Sequence, residues 1–113
     1  MSDAWHSAGT PDAAGVVRAA ERLADRLRLL GPRWAARNRS EDAVPAAAVR
    51  AGLQQLAEVA ARAEAEPARP VPDLGLHAFA DQLLVLARDA AAAGTPEALA
   101  EADAVLATLR AAL

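Results

Sequence analysis

The chain has 113 residues, of which 54% are apolar and 24% charged, and its formal net charge at pH 7 is −3. This length suits one domain, the 34 alanines favour helix over strand, and the negative charge argues against general nucleic-acid binding. Cysteine is absent, which excludes disulfides and thiol chemistry. The charge is uneven, since residues 1–57 carry 8 arginines and 6 acids, whereas residues 58–113 carry 4 arginines and 9 acids.

Residues 1–10 predict a mobile N-terminal tail, because small and polar residues occur there without helical periodicity. Thr10 is a predicted N-cap, and Pro11 then occupies the first helical position, where its missing N–H is tolerated. We therefore expect one helical-bundle domain over residues 11–113. The N-terminus lacks the basic and apolar regions of a signal peptide, and no apolar run is long enough to span a membrane, so we expect a cytoplasmic protein without a membrane partner.

The first predicted helix ends at Leu30, because Gly31 favours a left-handed cap and Pro32 cannot continue the helix. The second is expected after a connector over residues 32–42, and it must end by Glu66 because a proline follows. In both helices, apolar residues recur at alternating spacings of four and three, which is typical of one buried face. These residues are Val16, Ala20, Leu23, Leu27 and Leu30, then Val49, Leu53, Leu56, Ala60 and Ala63.

Individual residues indicate where the second helix begins and which of its side chains pair. Ser40 or Asp42 is its predicted N-cap, and Pro45 lies in the first turn, where proline is tolerated. Glu58 and Arg62 form a predicted ion pair between residues four apart on one helix face.

The prolines between residues 67 and 72 predict a stiff, extended connector. Asp73 is the predicted N-cap of the third helix, which ends at Gly94, and Thr95 and Pro96 begin the fourth at once. So short a joint predicts an antiparallel helical hairpin. The apolar face of the third helix is Leu76, Phe79, Ala80, Leu83, Ala87 and Ala90, and that of the fourth is Leu99, Ala102, Leu106, Leu109 and Leu113.

Four helices with one apolar face each predict an all-α fold, an antiparallel four-helix bundle with a proline-rich connector between helices 2 and 3. Leu29 and Val85 point away from the predicted core faces of their helices. They are the candidate partner-binding residues. We therefore expect a non-enzymatic interaction module that self-associates or binds a larger protein partner.

A cluster of arginines between Arg26 and Arg39 contains no acidic residue and surrounds a tryptophan. Guanidinium groups bind phosphates in pairs of hydrogen bonds, and an indole can stack on a base, so the alternative function is a phosphate or nucleic-acid binder. The competing interpretation is a solvated connector whose tryptophan closes the end of the bundle. The candidate anion-binding residues are Arg28, Arg33, Trp34, Arg37 and Arg39.

His77 lies one predicted helical turn from Asp81, and we interpret it as a boundary residue that bonds to Asp81 or to a neighbouring helix. A metal site would need three or four ligands, and the only other histidine, His6, is in the predicted tail. The sequence contains no Glu-x-x-His pair and no glycine-rich phosphate loop. We therefore predict no metal, no cofactor and no catalytic residue.

Residues 70–83 follow the pattern Pro-x-Pro-x-Leu-Gly-x-His-Ala-x-x-Asp-Gln-Leu. This stretch resembles one in small all-helical proteins of actinobacteria for which no activity is known. The resemblance is confined to these residues, and it implies a helical fold without implying an activity.

Overall fold

The computed structural model describes residues 11–37 and 44–113, and this part of the chain contains helices and no strand. Its four α-helices are α1 (Ala13–Arg37), α2 (Val44–Ala63), α3 (Phe79–Ala93) and α4 (Pro96–Ala112), and a 3₁₀ turn at Leu76–Ala78 precedes α3. The predicted all-α four-helix fold is confirmed. The predicted tail at residues 1–10 and the cap candidates Ser40 and Asp42 lie outside the described residues.

Asp12 is the N-cap of α1. Its Oδ1 accepts a hydrogen bond from the backbone N–H of Gly15 at 2.6 Å, and its carbonyl accepts one from Val16 at 3.0 Å. The prediction that Pro11 occupies the first helical position was therefore wrong, and Thr10 lies outside the described residues. A carboxylate at this position both accepts the hydrogen bond and favours the positive end of the helix dipole.

The other end of α1 also differs from the prediction, because the helix continues through Gly31 and Pro32 to Arg37. Proline removes one helical N–H and crowds the carbonyl four residues earlier, which disfavours but does not forbid a helix. The next five residues, Arg-Trp-Ala-Ala-Arg, include four strong helix formers that favour continuation. The predicted end at Leu30 was wrong, and residues 32–37 belong to the helix rather than to a connector.

α2 ends at Ala63, before Glu66 as predicted, and Pro45 lies in its first turn. The backbone N–H of Glu66 donates to the carbonyl of Ala61 at 2.8 Å, and that of Ala65 donates to the carbonyl of Arg62 at 3.1 Å. This pair of bonds is a Schellman motif, with Ala65 in the left-handed position at φ 56°.

The start of α3 also differs from the prediction. Asp73 does not cap it: the Asp73 Oδ1 accepts from the N–H of Gly75, two residues on, at 3.1 Å. Such an Asx turn competes with helix formation, and Gly75 adopts a positive φ of 91° that redirects the chain. The 3₁₀ turn follows, and α3 starts at Phe79 without a side-chain cap.

The joint between α3 and α4 is as predicted. Gly94 takes the left-handed conformation with φ 70°, and its N–H donates to the carbonyl of Ala91 at 3.1 Å. Thr95 caps α4, since its Oγ1 accepts from the N–H of Ala98 at 3.1 Å, and Pro96 is the first helical residue.

The predicted apolar faces form one core. Most predicted positions are buried, and Leu30, Leu76 and Leu113 are partly buried against it. The exceptions are in α2, where Ala60 and Ala63 are not buried and Val59 and Ala46 are. The largest fully buried side chains are Phe79, Leu53, Leu56, Leu83, Val16 and Val49.

The helices pack so that α1 and α2 each contact both α3 and α4 and lie diagonally across the core from one another. Arg62 pairs with Glu101, and Gly52 abuts Leu109, so α2 and α4 are antiparallel. The pairing of Arg62 with Glu101 also replaces the ion pair predicted between Arg62 and Glu58, whose backbone carbonyl accepts from the Nε–H of Arg62 at 3.4 Å instead.

Arg28 of α1 pairs with Asp81 near the start of α3. The described buried residues of α1 precede Arg28, whereas most of those of α3 follow Asp81, so these two helices are antiparallel too. By contrast, α2 and α3 run in the same general direction. The Arg50 guanidinium carbon lies 5.5 Å from the centre of the Phe79 ring at the start of α3, and the second half of α2 lines one groove with residues 81–89 of α3. This direction is possible because the connector between them folds back along α2.

Candidate functional site

A groove with a volume of about 840 Å³ runs between α2, the proline-rich connector and α3. We call it the α2–α3 groove. Its apolar wall includes alanines of α2, prolines of the connector and aliphatic residues of α3. Its apolar lining residues include Ala57, Ala61, Val71, Leu74, Val85 and Leu86.

Two glutamines hold the connector in place and so form the groove. The Gln54 side chain of α2 donates to the carbonyl of Arg69 at 3.2 Å and accepts from the N–H of Val71 at 2.8 Å. The Gln82 side chain of α3 donates to the carbonyl of Pro72 at 2.9 Å. A proline-rich segment has few backbone N–H groups with which to bond itself, so side-chain amides from both flanking helices supply the hydrogen bonds.

Three large apolar side chains are exposed among the described residues: Leu29 at 87%, Leu74 at 54% and Val85 at 56%. The predicted exposure of Leu29 and Val85 is confirmed. The sequence reasoning missed Leu74, because it placed this residue in the first turn of the third helix. Its position between an Asx-forming aspartate and a glycine was the available signal for a turn. Leu74 and Val85 line the same groove.

The charged residues that line the groove are mainly acidic, with four carboxylates and one arginine. Asp81 already has a partner, since its Oδ1 accepts from Arg28 at 3.1 Å. Glu64, Glu66 and Asp89 form no ion pair with another described residue. Arg69 is the only basic residue among the described residues of the lining. The groove therefore combines an apolar wall with a negative rim.

The arginine cluster is only partly within the described residues. The guanidinium of Arg28 donates to Asp25 at 3.2 Å and to Asp81 at 3.1 Å, so it joins α1 to α3 and has two carboxylate partners. Arg33, Trp34 and Arg37 lie on the last turns of α1, and their side chains lie outside the described part, as does the whole of Arg39. Anion binding by this cluster stays a prediction.

His77 lies on the 3₁₀ turn and is exposed, with its ring beside Gly75. The predicted contact with Asp81 was wrong: in the described structure that carboxylate pairs with Arg28, and His77 forms no hydrogen bond with it. The helix break at residues 76–78 is the physical reason, because it removes the regular spacing on which the prediction depended. Asp73 likewise has another partner, Arg50 Nε at 3.9 Å.

Among residues 11–37 and 44–113, no three histidine or acidic side chains are grouped so that they could bind a metal ion. None of the helices in this part is long and apolar enough to cross a bilayer. Comparisons with family models, curated proteins and solved structures find no significant match to the chain.

Proposed function

We propose that this protein is a non-enzymatic interaction module whose binding surface is the α2–α3 groove. The observation that carries the proposal is the exposure of Leu74 and Val85 on one groove. Isolated exposed aliphatic residues are common, whereas apolar side chains grouped in a concave surface are typical of a binding site. Covering them releases about 25 cal/mol per Å² of apolar surface removed from water.

The chemistry of the groove supports binding rather than catalysis. Its described polar groups are carboxylates, one guanidinium and the amide of Gln82, without a histidine or hydroxyl side chain among them. Its acidic residues are exposed to solvent rather than buried beside a position where a substrate could exchange a proton with them.

A single substitution tests this function. Val85→Glu places a charge on the apolar wall, so it should weaken self-association in sedimentation equilibrium at high micromolar concentration, or remove partner proteins that the unaltered chain retains. Val85 is exposed, so the fold should survive, as circular dichroism would show. Ala104→Glu on the exposed face of α4 is the matched control and should behave like the unaltered chain. Equal binding by the Val85→Glu and unaltered chains would contradict the proposal.

A further inference from the structure

A second surface complements the groove in charge. On α1, Arg22, Arg26 and Leu29 follow at spacings of four and three, which places them on one face, and all three are exposed. We call this face the α1 stripe. Neither arginine forms an ion pair with another described residue. Of the described acidic residues near the stripe, Asp25 pairs with Arg28, and Glu21 lies on the same flank of α1 as Asp25. Asp103 of α4 lines a pocket with Arg22 and Arg26 but forms an ion pair with neither.

The α1 stripe and the α2–α3 groove cannot meet within one molecule. Helices α1 and α2 are diagonal across the core, and Arg22 and Arg26 of the stripe lie beside α4, with which they line a small pocket. The groove opens between α2 and α3. Contact between the two surfaces therefore requires two copies of the chain.

We propose that the α2–α3 groove binds the α1 stripe of a second copy, so that the chains associate head to tail. This inference rests on the proposed function and names the occupant of the groove. Two arginines of one copy face three unpaired carboxylates of the other, and Leu29 covers the exposed aliphatic side chains of the groove. The carboxylates are those of Glu64, Glu66 and Asp89, and the aliphatic residues are Leu74 and Val85.

The geometry of this contact has two measurable consequences. The two surfaces differ, so the interface is heterologous, and each added copy leaves a free stripe at one end and a free groove at the other. Assemblies should therefore grow with concentration unless a ring closes. The ion pairs form between exposed groups, so raising the salt concentration screens them and should weaken association.

A mixing experiment tests the pairing. Leu29→Glu places a charge on the α1 stripe and leaves the groove intact. Val85→Glu places a charge in the groove and leaves the stripe intact. Each variant alone should sediment as a monomer. An equimolar mixture should form a dimer and nothing larger, because the two variants retain one intact surface each. Ala104→Glu, which adds the same charge outside both surfaces, should assemble like the unaltered chain.

The charges are tested separately with the double substitution Glu64→Gln and Asp89→Asn. It should raise the dissociation constant at low salt by about tenfold or more, and by much less in 0.5 M salt, where the ion pairs are already screened. Circular dichroism checks that each variant remains helical.

Two results would overturn the pairing. A mixture that stays monomeric while the unaltered chain associates would show that the groove does not bind the α1 stripe, although the groove could still be the interface. A monomeric unaltered chain at high micromolar concentration would exclude a second copy as the occupant. The proposed function itself would fail only if Val85→Glu also left the binding of other proteins unchanged.

Discussion

Ala65 adopts a backbone conformation that alanine disfavours. It occupies the left-handed position that ends α2, with φ 56°, where glycine is the usual residue. The Cβ of an L-residue in this region approaches the following carbonyl, at a cost of about 1–2 kcal/mol. The two Schellman hydrogen bonds and the proline that follows hold the chain there nonetheless.

Ala65→Gly should therefore stabilise the protein, by about 0.5–1 kcal/mol once the greater freedom of glycine in the unfolded chain is subtracted. The free energy of unfolding in urea measures this change. Ala63→Gly, two residues earlier and still in regular helix, is the matched control and should destabilise by about 0.5–1 kcal/mol. Destabilisation by both substitutions would show that strain at Ala65 is absent.

The hairpin of α3 and α4 depends on three adjacent residues that terminate one helix and start the next. Gly94 supplies the left-handed cap, Thr95 supplies the N-cap hydrogen bond, and Pro96 supplies a backbone already suited to the first helical position. The order of these residues leaves no space for a longer loop, which is why the joint was predictable from the sequence.

Gly94→Val should destabilise the protein by about 1 kcal/mol or more, because a β-branched residue is penalised at positive φ. Crowding by the rest of the structure is not the cause: apart from the adjacent residues, the atom nearest to a Cβ at this position would be the carbonyl oxygen of Ala92, at 3.8 Å. Gly94→Asn is the informative comparison, because asparagine tolerates this conformation and should lose less stability. An unchanged thermal midpoint for the valine variant would contradict this account.

In the assembled bundle, α2 and α4 approach closely at Gly52. A Cβ added there would lie 2.7–2.9 Å from Cγ and the two Cδ carbons of the Leu109 side chain. Leu109 is 2% exposed and belongs to the core, so it has little room to move. The absence of a side chain at residue 52 therefore permits the approach of these two helices.

Gly52→Ala should destabilise the protein by about 1 kcal/mol, because overpacking costs about 1–3 kcal/mol and the better helix propensity of alanine returns about 1 kcal/mol. The effect should reverse when Leu109→Ala is already present, since the space is then free and the helix propensity remains. A double-mutant cycle in urea measures both values. The same change in either background would show that the two residues are not coupled.

The candidate site was predictable only in part. Leu29 and Val85 were identified correctly as exposed because a helical wheel orders residues within one helix. The groove was not predicted, since it requires the connector to fold back until Gln54 bonds residues 15 and 17 positions later. Leu74 was missed because its exposure depends on the Asx turn at Asp73, which displaced the start of the helix.

Local pattern was sufficient for the four helices, their buried faces and the α3–α4 joint, because residues three and four apart are neighbours in any helix and glycine and proline act on adjacent backbone. Contacts between different helices could not be predicted from these local patterns. The sequence indicates Arg28 only as a candidate anion-binding residue. The packing of α1 on α3 places it beside Asp81, which is 53 residues away in the chain. The diagonal placement of α1 and α2, the groove and the partner of each charge depend on how the core faces fit together, and the periodicity of a single helix carries no information about that fit.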